Sequence, residues 1–236
     1  MVKFLSLFAL YLLSSLSYGQ DEYRKAELLG ELNPEANRNF DRIKERYASR
    51  PGMYLRDEAY DAFRKMWKAA RKEGIELTII SAFRSRQYQA GIWNRKWNTF
   101  SGDDSSRVRK IMAYSSMPGI SRHHWGTDFD LNALNNAYFE SGSGLKVYQW
   151  LQKNAARFGF FQPYTAFDDW RDSGYREEKW HWSYCPLAER FSKAYRQTID
   201  YTDIGGFPGA EWAQSFAVIE RFVMGIAPHE CQLVEP

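Results

Sequence analysis

Two segments far apart in this chain carry chemistry that is useful only if the fold brings them together. The first is Ser121-Arg122-His123-His124-Trp125-Gly126-Thr127-Asp128-Phe129-Asp130, and the second is Glu178-Lys179-Trp180-His181. Three of the chain's four histidines lie in them. Imidazole nitrogen and carboxylate oxygen are what zinc takes, and a catalytic site leaves one position open for water. A nearby glutamate can then take a proton from that water. The candidate ligands to one catalytic zinc ion are therefore His123, Asp130 and His181, with Glu178 as general base. Cys185 is a further candidate ligand, but the set is complete without it. His123 in a turn and Asp130 on a strand can point into one cleft. Glu178 and His181 are three apart: a helical turn would align them, whereas an extended segment would oppose them. A kink near Lys179 is required.

The 236 residues, 44% hydrophobic, suit a single domain with a sizeable core. A formal net charge of +3 does not suggest a dedicated nucleic-acid binder. Aromatics make up 17% of the chain, which predicts a core rich in ring packing. Lys3 followed by the apolar run Phe4 to Leu16, and then Ser17-Tyr18-Gly19, reads as a secretory signal cleaved before Gln20. Residues 1–19 are thus expected to be a signal peptide, and 20–236 one domain with no stable membrane anchor. Export places the protein in the periplasm or at the cell surface. Cys185 and Cys231 then form an even pair in an oxidising compartment, which points to a disulfide tying the C-terminal tail back beside the site, with two free buried thiols as the alternative.

Spacing predicts helices over 21–32, 35–48 and 57–73, the last with Ala59, Ala62, Phe63, Met66 and Ala70 on one face and Gly74 as its cap. Residues 75–80 read as a strand and 88–97 as a helix. Residues 99–120 show no clear period and read as a long loop. Thr127 to Leu131 alternates as a strand does, 146–158 is helical and capped by Gly159, and Phe160-Phe161 begins a strand. Trp180 and Trp182 flank His181 in strand alternation. Leu187 to Thr198 and Ala210 to Met224 read as helices. Helices interspersed with short strands indicate an α+β fold rather than a βαβ array.

These residues resemble a known signature. Ser121-x-His123-x-x-Gly126-x-x-x-Asp130 followed by Glu178-x-Trp180-His181-x-x-Tyr184 is similar to the D-alanyl-D-alanine carboxypeptidase family of zinc peptidoglycan peptidases. That family shares its fold with D-Ala-D-Ala dipeptidases and hedgehog N-terminal domains. Upstream, Ser81-Ala82-Phe83-Arg84-Ser85 with Gln89 resembles the family's Ser-Gly-Tyr-Arg-Ser segment. The resemblance spans roughly residues 55–200 and implies a small antiparallel sheet flanked by helices, with N-terminal helices and a C-terminal helical extension added.

It also implies zinc on His123, Asp130 and His181, Glu178 as base, and Arg84 clamping a carboxylate or stabilising an oxyanion. Ser121, Gln89 and Tyr184 are the candidate substrate contacts, with Gln89 alternatively bracing the pocket and Tyr184 alternatively packing under the metal. His124 is expected in a supporting or surface position, and Arg122 facing solvent. Asp128 departs from the family, which usually has Ala there, and either faces the cleft or sits solvated at its rim. The implied activity is release of terminal D-alanine from a peptidoglycan stem peptide, D,D or L,D, by a monomer. The competing readings are a peptidoglycan endopeptidase, a D-Ala-D-Ala dipeptidase, and a non-catalytic zinc-containing wall-binding module. The presence of Glu178 weighs against the last.

Overall fold

The computed structural model describes residues 23–229 and Cys231. The expected signal peptide lies outside the described residues. Among the described residues, no helix is long and apolar enough to cross a membrane.

The site is carried by a four-stranded antiparallel sheet. Its strands are β3 (Ile79–Ser81), β4 (Asp128–Leu131), β5 (Phe160–Phe161) and β6 (His181–Tyr184), in the order β3-β4-β6-β5. Asp130 pairs with His181 and Asp128 with Ser183 across β4 and β6. Side chains alternate between the faces of a strand. That parity puts Asp128, Asp130, His181 and Ser183 on one face, and Phe129, Trp182 and Tyr184 on the other. On the apolar face Phe129 meets Phe63 and Phe160 edge-on, with ring centroids 5.2 and 5.0 Å apart.

Phe63 comes from α2 (Asp57–Lys72), which forms for the reasons its sequence gives. Ala59, Ala62, Phe63, Met66 and Ala70 are all buried, Asp57 and Glu58 open the helix, and Arg71 and Lys72 close it. Gly74 follows with φ +72°, the left-handed conformation of a helix cap. A second core surrounds Trp93 of α3 (Arg86–Thr99), Trp125 and Phe191 of α6 (Cys185–Thr198). The fold class and most elements match expectation, including α5 (Gly142–Asn154) and the Gly159 cap at φ +80°.

Five readings need correction. Residues 35–48 are not a helix: they hold β1 (Phe40–Arg42) between two 3-10 turns, paired with β2 (Tyr54–Arg56). The N-terminal helical part is reduced to α1 (Lys25–Leu28). The 99–120 stretch contains α4 (Asp104–Met112), started by the Asp103 side chain accepting from Ser106 N and burying Val108, Ile111 and Met112. The expected C-terminal helix is broken into a 3-10 turn at Ala210–Trp212 and a π turn at Ile219–Val223, with Ala217 at φ +47° between them. The strand expected over 75–80 pairs with β4 only from Ile79 onward. Cys185 and Cys231 are joined in a disulfide, which ties the tail to the start of α6.

Candidate metal centre

The first motif folds as a 3-10 turn, Arg122–Trp125, ended by Gly126 at φ +72°. A Cβ at Gly126 would lie 2.4 Å from the Phe40 ring, so only glycine lets the chain turn here and enter β4. His123 therefore sits one turn before the strand that carries Asp130. The two side chains meet His181 from the neighbouring strand, and one ligand atom from each lies within 4.8 Å of the others.

The hydrogen bonds fix which nitrogen of each ring is free. His123 Nδ1 lies 2.9 Å from the Ala82 carbonyl oxygen, so it carries the proton and donates. This leaves Nε2 with its lone pair toward the cleft, where Arg84 Nη2 lies 2.8 Å away. His181 Nε2 donates to Asp128 Oδ2 at 2.9 Å, which turns Nδ1 inward. Asp130 Oδ1 lies 3.3 Å from His123 Nε2 and 3.1 Å from His181 Nδ1, yet it is buried with no hydrogen bond of normal geometry. His123 Nε2, His181 Nδ1 and Asp130 Oδ1 thus converge in a buried pocket beside the Arg84 guanidinium, a donor set for a metal cation once the proton on His181 Nδ1 is displaced. Two imidazoles and a carboxylate with one side open fit a catalytic divalent metal such as zinc. Burial and then the Arg84 guanidinium push His123 down to about 4, so it is neutral. Burial would also lower His181, but the Asp128 and Asp130 carboxylates against its two nitrogens outweigh it and raise the ring to about 9, so a metal binding at Nδ1 displaces a proton there.

The kink required of the second motif is a turn in which His181 N donates to Glu178 O at 3.2 Å. It places Glu178 Oε2 3.5 Å from His181 Nδ1. Burial raises the Glu178 carboxyl to about 7, the range in which a carboxylate both accepts and returns protons near neutral pH.

Arg84 lines the same cleft, of about 620 Å³. Its Nε donates to Ser81 Oγ at 3.0 Å, Nη1 to Gln89 Oε1 at 3.3 Å, and Nη2 to Asp130 Oδ2 at 2.8 Å. Nη2 also lies 2.8 Å from His123 Nε2. These bonds hold the guanidinium against the ligand set, so a role in clamping a distant carboxylate competes with its own partners. Gln89 is fully buried beneath Arg84, donates to Ser116 O, and does not line the cleft. It braces the arginine from behind, the supporting one of its two expected roles. Tyr184 is likewise no cleft residue. Strand parity turns it to the apolar face, where its ring lies 5.3 Å from Phe160. Ser121 does line the cleft, and its buried hydroxyl has no hydrogen-bond partner. His124 is fully buried and supports Arg84, Nδ1 donating to its carbonyl oxygen at 2.6 Å and Nε2 accepting from Gly119 N.

Arg122 and Asp128 are the largest departure from expectation. Arg122 does not face solvent: it is 1% exposed, and its Nε donates to Asp128 Oδ2 at 3.0 Å. Its Nη1 and Nη2 donate to Ser192 and Ser183. Asp128 is fully buried and also accepts from Thr127 and Ser183 hydroxyls. Burial opposes its ionisation, but Arg122 and the other donors prevail and hold the carboxyl well below its usual range. A carboxylate on the far nitrogen of a ligand imidazole fixes its tautomer and orientation, and losing such a partner costs about 10- to 100-fold in metal affinity. The double variant Asp128→Ala, Arg122→Met, which removes both charges, is accordingly expected to bind zinc about 10- to 100-fold more weakly while staying folded. Competition against a chelator with a known zinc affinity measures this, and unchanged affinity would contradict it. Sequence reading also missed Tyr164, whose ring lies 4.9 Å from His181, and Tyr175, both in the cleft wall. Neither neighbours a motif.

The family model for VanY, D-alanyl-D-alanine carboxypeptidase, matches residues 52–187. The chain belongs to this family. All three converging ligand atoms, Arg84 and Glu178 fall inside the matched span. A putative carboxypeptidase of Bacillus subtilis, YodJ, is 33% identical over 137 residues, covering 56% of this chain and 46% of that protein. A D-alanyl-D-alanine carboxypeptidase of Enterococcus faecalis is 30% identical over 158 residues, covering 66% and 54% respectively. The chain thus spans about half the length of the curated relatives it matches. In fold it is similar to VanYB solved in complex with D-alanine-D-alanine, at 22% identity and a TM-score of 0.53, covering 78% of this chain and 92% of that one.

Proposed function

We propose that this protein is a zinc carboxypeptidase that releases terminal D-alanine from peptidoglycan stem peptides, from a D-Ala-D-Ala end or from a single terminal D-Ala. The observation that carries the reading is the convergence of His123 Nε2, His181 Nδ1 and Asp130 Oδ1 beside the Glu178 carboxyl in one cleft. Family membership and the D-alanine-D-alanine bound to VanYB support the substrate class.

In this reading His123, Asp130 and His181 hold the zinc, which supplies Lewis acidity toward the scissile carbonyl and the attacking water. Glu178 takes the proton of that water on its carboxylate and returns it to the leaving amine. Arg84, fixed by Ser81, Gln89 and Asp130, has an Nη1 proton to spare and stabilises the developing oxyanion. The unpartnered Ser121 hydroxyl contacts the peptide. His124 and Gln89 hold Arg84 in place from behind. The chain acts after export, with residues 1–19 as its signal peptide and the rest as one domain, and it works as a monomer.

Digesting purified muropeptides ending in D-Ala-D-Ala or in a single D-Ala, with product masses recorded, tests this. Loss of one alanine from either is the expected result. Loss of a dipeptide, cleavage inside the stem, or no cleavage would overturn it.

A further inference from the structure

A carboxypeptidase must recognise a carboxylate as well as a scissile bond, and the Arg84 guanidinium is already engaged with Asp130, Ser81 and Gln89. Four cationic side chains line the cleft: Arg50, Arg84, Lys96 and Arg122. Arg122 is bonded to Asp128, Ser183 and Ser192 beneath His181. Arg50 stands exposed at the rim, where water screens its charge. Lys96, near the end of α3, is different. It is half-buried in the cleft wall and has no ion pair among the described residues. Its one hydrogen bond is to Ser115 Oγ, at 2.6 Å. An ammonium has three donors, so two remain for a ligand.

The cleft that Lys96 lines is rich in hydroxyls. Ser115 is nearly buried against it, and Ser116, also nearly buried, and Tyr175, whose buried hydroxyl has no hydrogen bond of normal geometry, line the same cleft. Burial works against the charge on Lys96, while the Glu178 carboxylate across the cleft favours it. A partly desolvated ammonium among hydroxyl donors, without an anion of its own, is a site for a carboxylate.

We infer that Lys96 is the cation that receives a substrate carboxylate in this cleft, with Ser115 fixing its ammonium and the Ser116 and Tyr175 hydroxyls completing the pocket. The inference rests on the carboxypeptidase reading and adds to it the residue that selects a charged peptide. Two carboxylates of a stem peptide share this chemistry: the free C-terminus of the terminal D-alanine and an acidic side chain further up the stem.

The test compares wild type with Lys96→Met, a variant of similar length that keeps the wall packed. Each is given a peptide ending in D-Ala-D-Ala, its C-terminal amide, and a form amidated on the acidic side chain. Wild type is expected to lose about 10- to 100-fold in kcat/KM when the recognised carboxylate is amidated, the worth of a charge-assisted hydrogen bond. Lys96→Met is expected to cleave the free acid as poorly as wild type cleaves that amide, and to lose nothing further on amidation. The amide that produces the loss identifies the carboxylate. If Lys96→Met keeps the wild-type ratio of acid to amide at both positions, the inference is wrong. If wild type cleaves no peptide at all, it is the carboxypeptidase reading that fails. The same acid-against-amide comparison by calorimetric binding of N-acyl-D-Ala-D-Ala then still decides whether Lys96 binds a carboxylate.

Discussion

Glu178→Gln is expected to cut D-alanine release by about 10²- to 10⁴-fold while the protein keeps its zinc, because the amide occupies the same space but accepts no proton. The substitution should also stabilise the metal-free protein. Burial raises the Glu178 carboxyl from 4.5 in the unfolded chain to about 7 in the fold. A raised carboxyl favours the folded state least when it is ionised. The penalty is absent below about 4.5, grows as pH rises, and is complete above about 7. Glutamine never bears that charge. Relief of about 1–3 kcal/mol is therefore expected at about pH 8 and almost none near pH 4. Denaturant melts of both metal-free proteins at the two pH values check this. Equal stability at both would mean that the carboxylate is better solvated than its burial indicates. A bound divalent charge lowers the Glu178 carboxyl, so the acid limb of the rate profile is expected below 7 and should vanish in the glutamine variant's residual activity.

Arg122→Met alone is expected to be among the most destabilising single substitutions in the chain, costing about 3–5 kcal/mol. It leaves the fully buried Asp128 carboxylate with no counter-charge except the His181 ring. Typical domains have only about 5–15 kcal/mol in total, so the variant should melt much earlier or accumulate poorly. Adding Asp128→Ala removes the stranded charge, and most of the stability is expected to return, since an apolar pair often replaces a buried ion pair at little cost. Thermal unfolding of the single and double variants measures the difference. A double variant as unstable as the single one would show that the serine contacts of Arg122, not its charge pairing, hold this region.

What the sequence made legible follows from how local each signal was. The metal set was readable because histidine is rare in this chain and the carboxylates sit at fixed short distances from it. β4 was readable because Thr127 to Leu131 alternates within five residues. α2 was readable because its apolar face runs through four turns. By contrast, β1 is three residues long and exists only because Phe40, Asp41 and Arg42 find Arg56, Leu55 and Tyr54 to pair with. α4 was hidden behind serines and aspartates, one of which is its cap. The burial of Arg122 could not be read at all. It depends on Ser183 from β6 and Ser192 from α6, which only the tertiary fold brings to the first motif. The two readings of Tyr184, substrate contact or packing, were separable only by strand parity. The motif includes it, but on a strand the residue three after His181 faces the other side.

The central claim is that His123, Asp130 and His181 form a metal centre that drives peptide hydrolysis. The most direct measurement strips the wild-type protein with a chelator, returns zinc in small increments, and follows D-alanine release from a stem peptide at each step. The account predicts no release from the stripped protein and a rise that saturates at one zinc per chain. Undiminished release from the metal-free protein would contradict it.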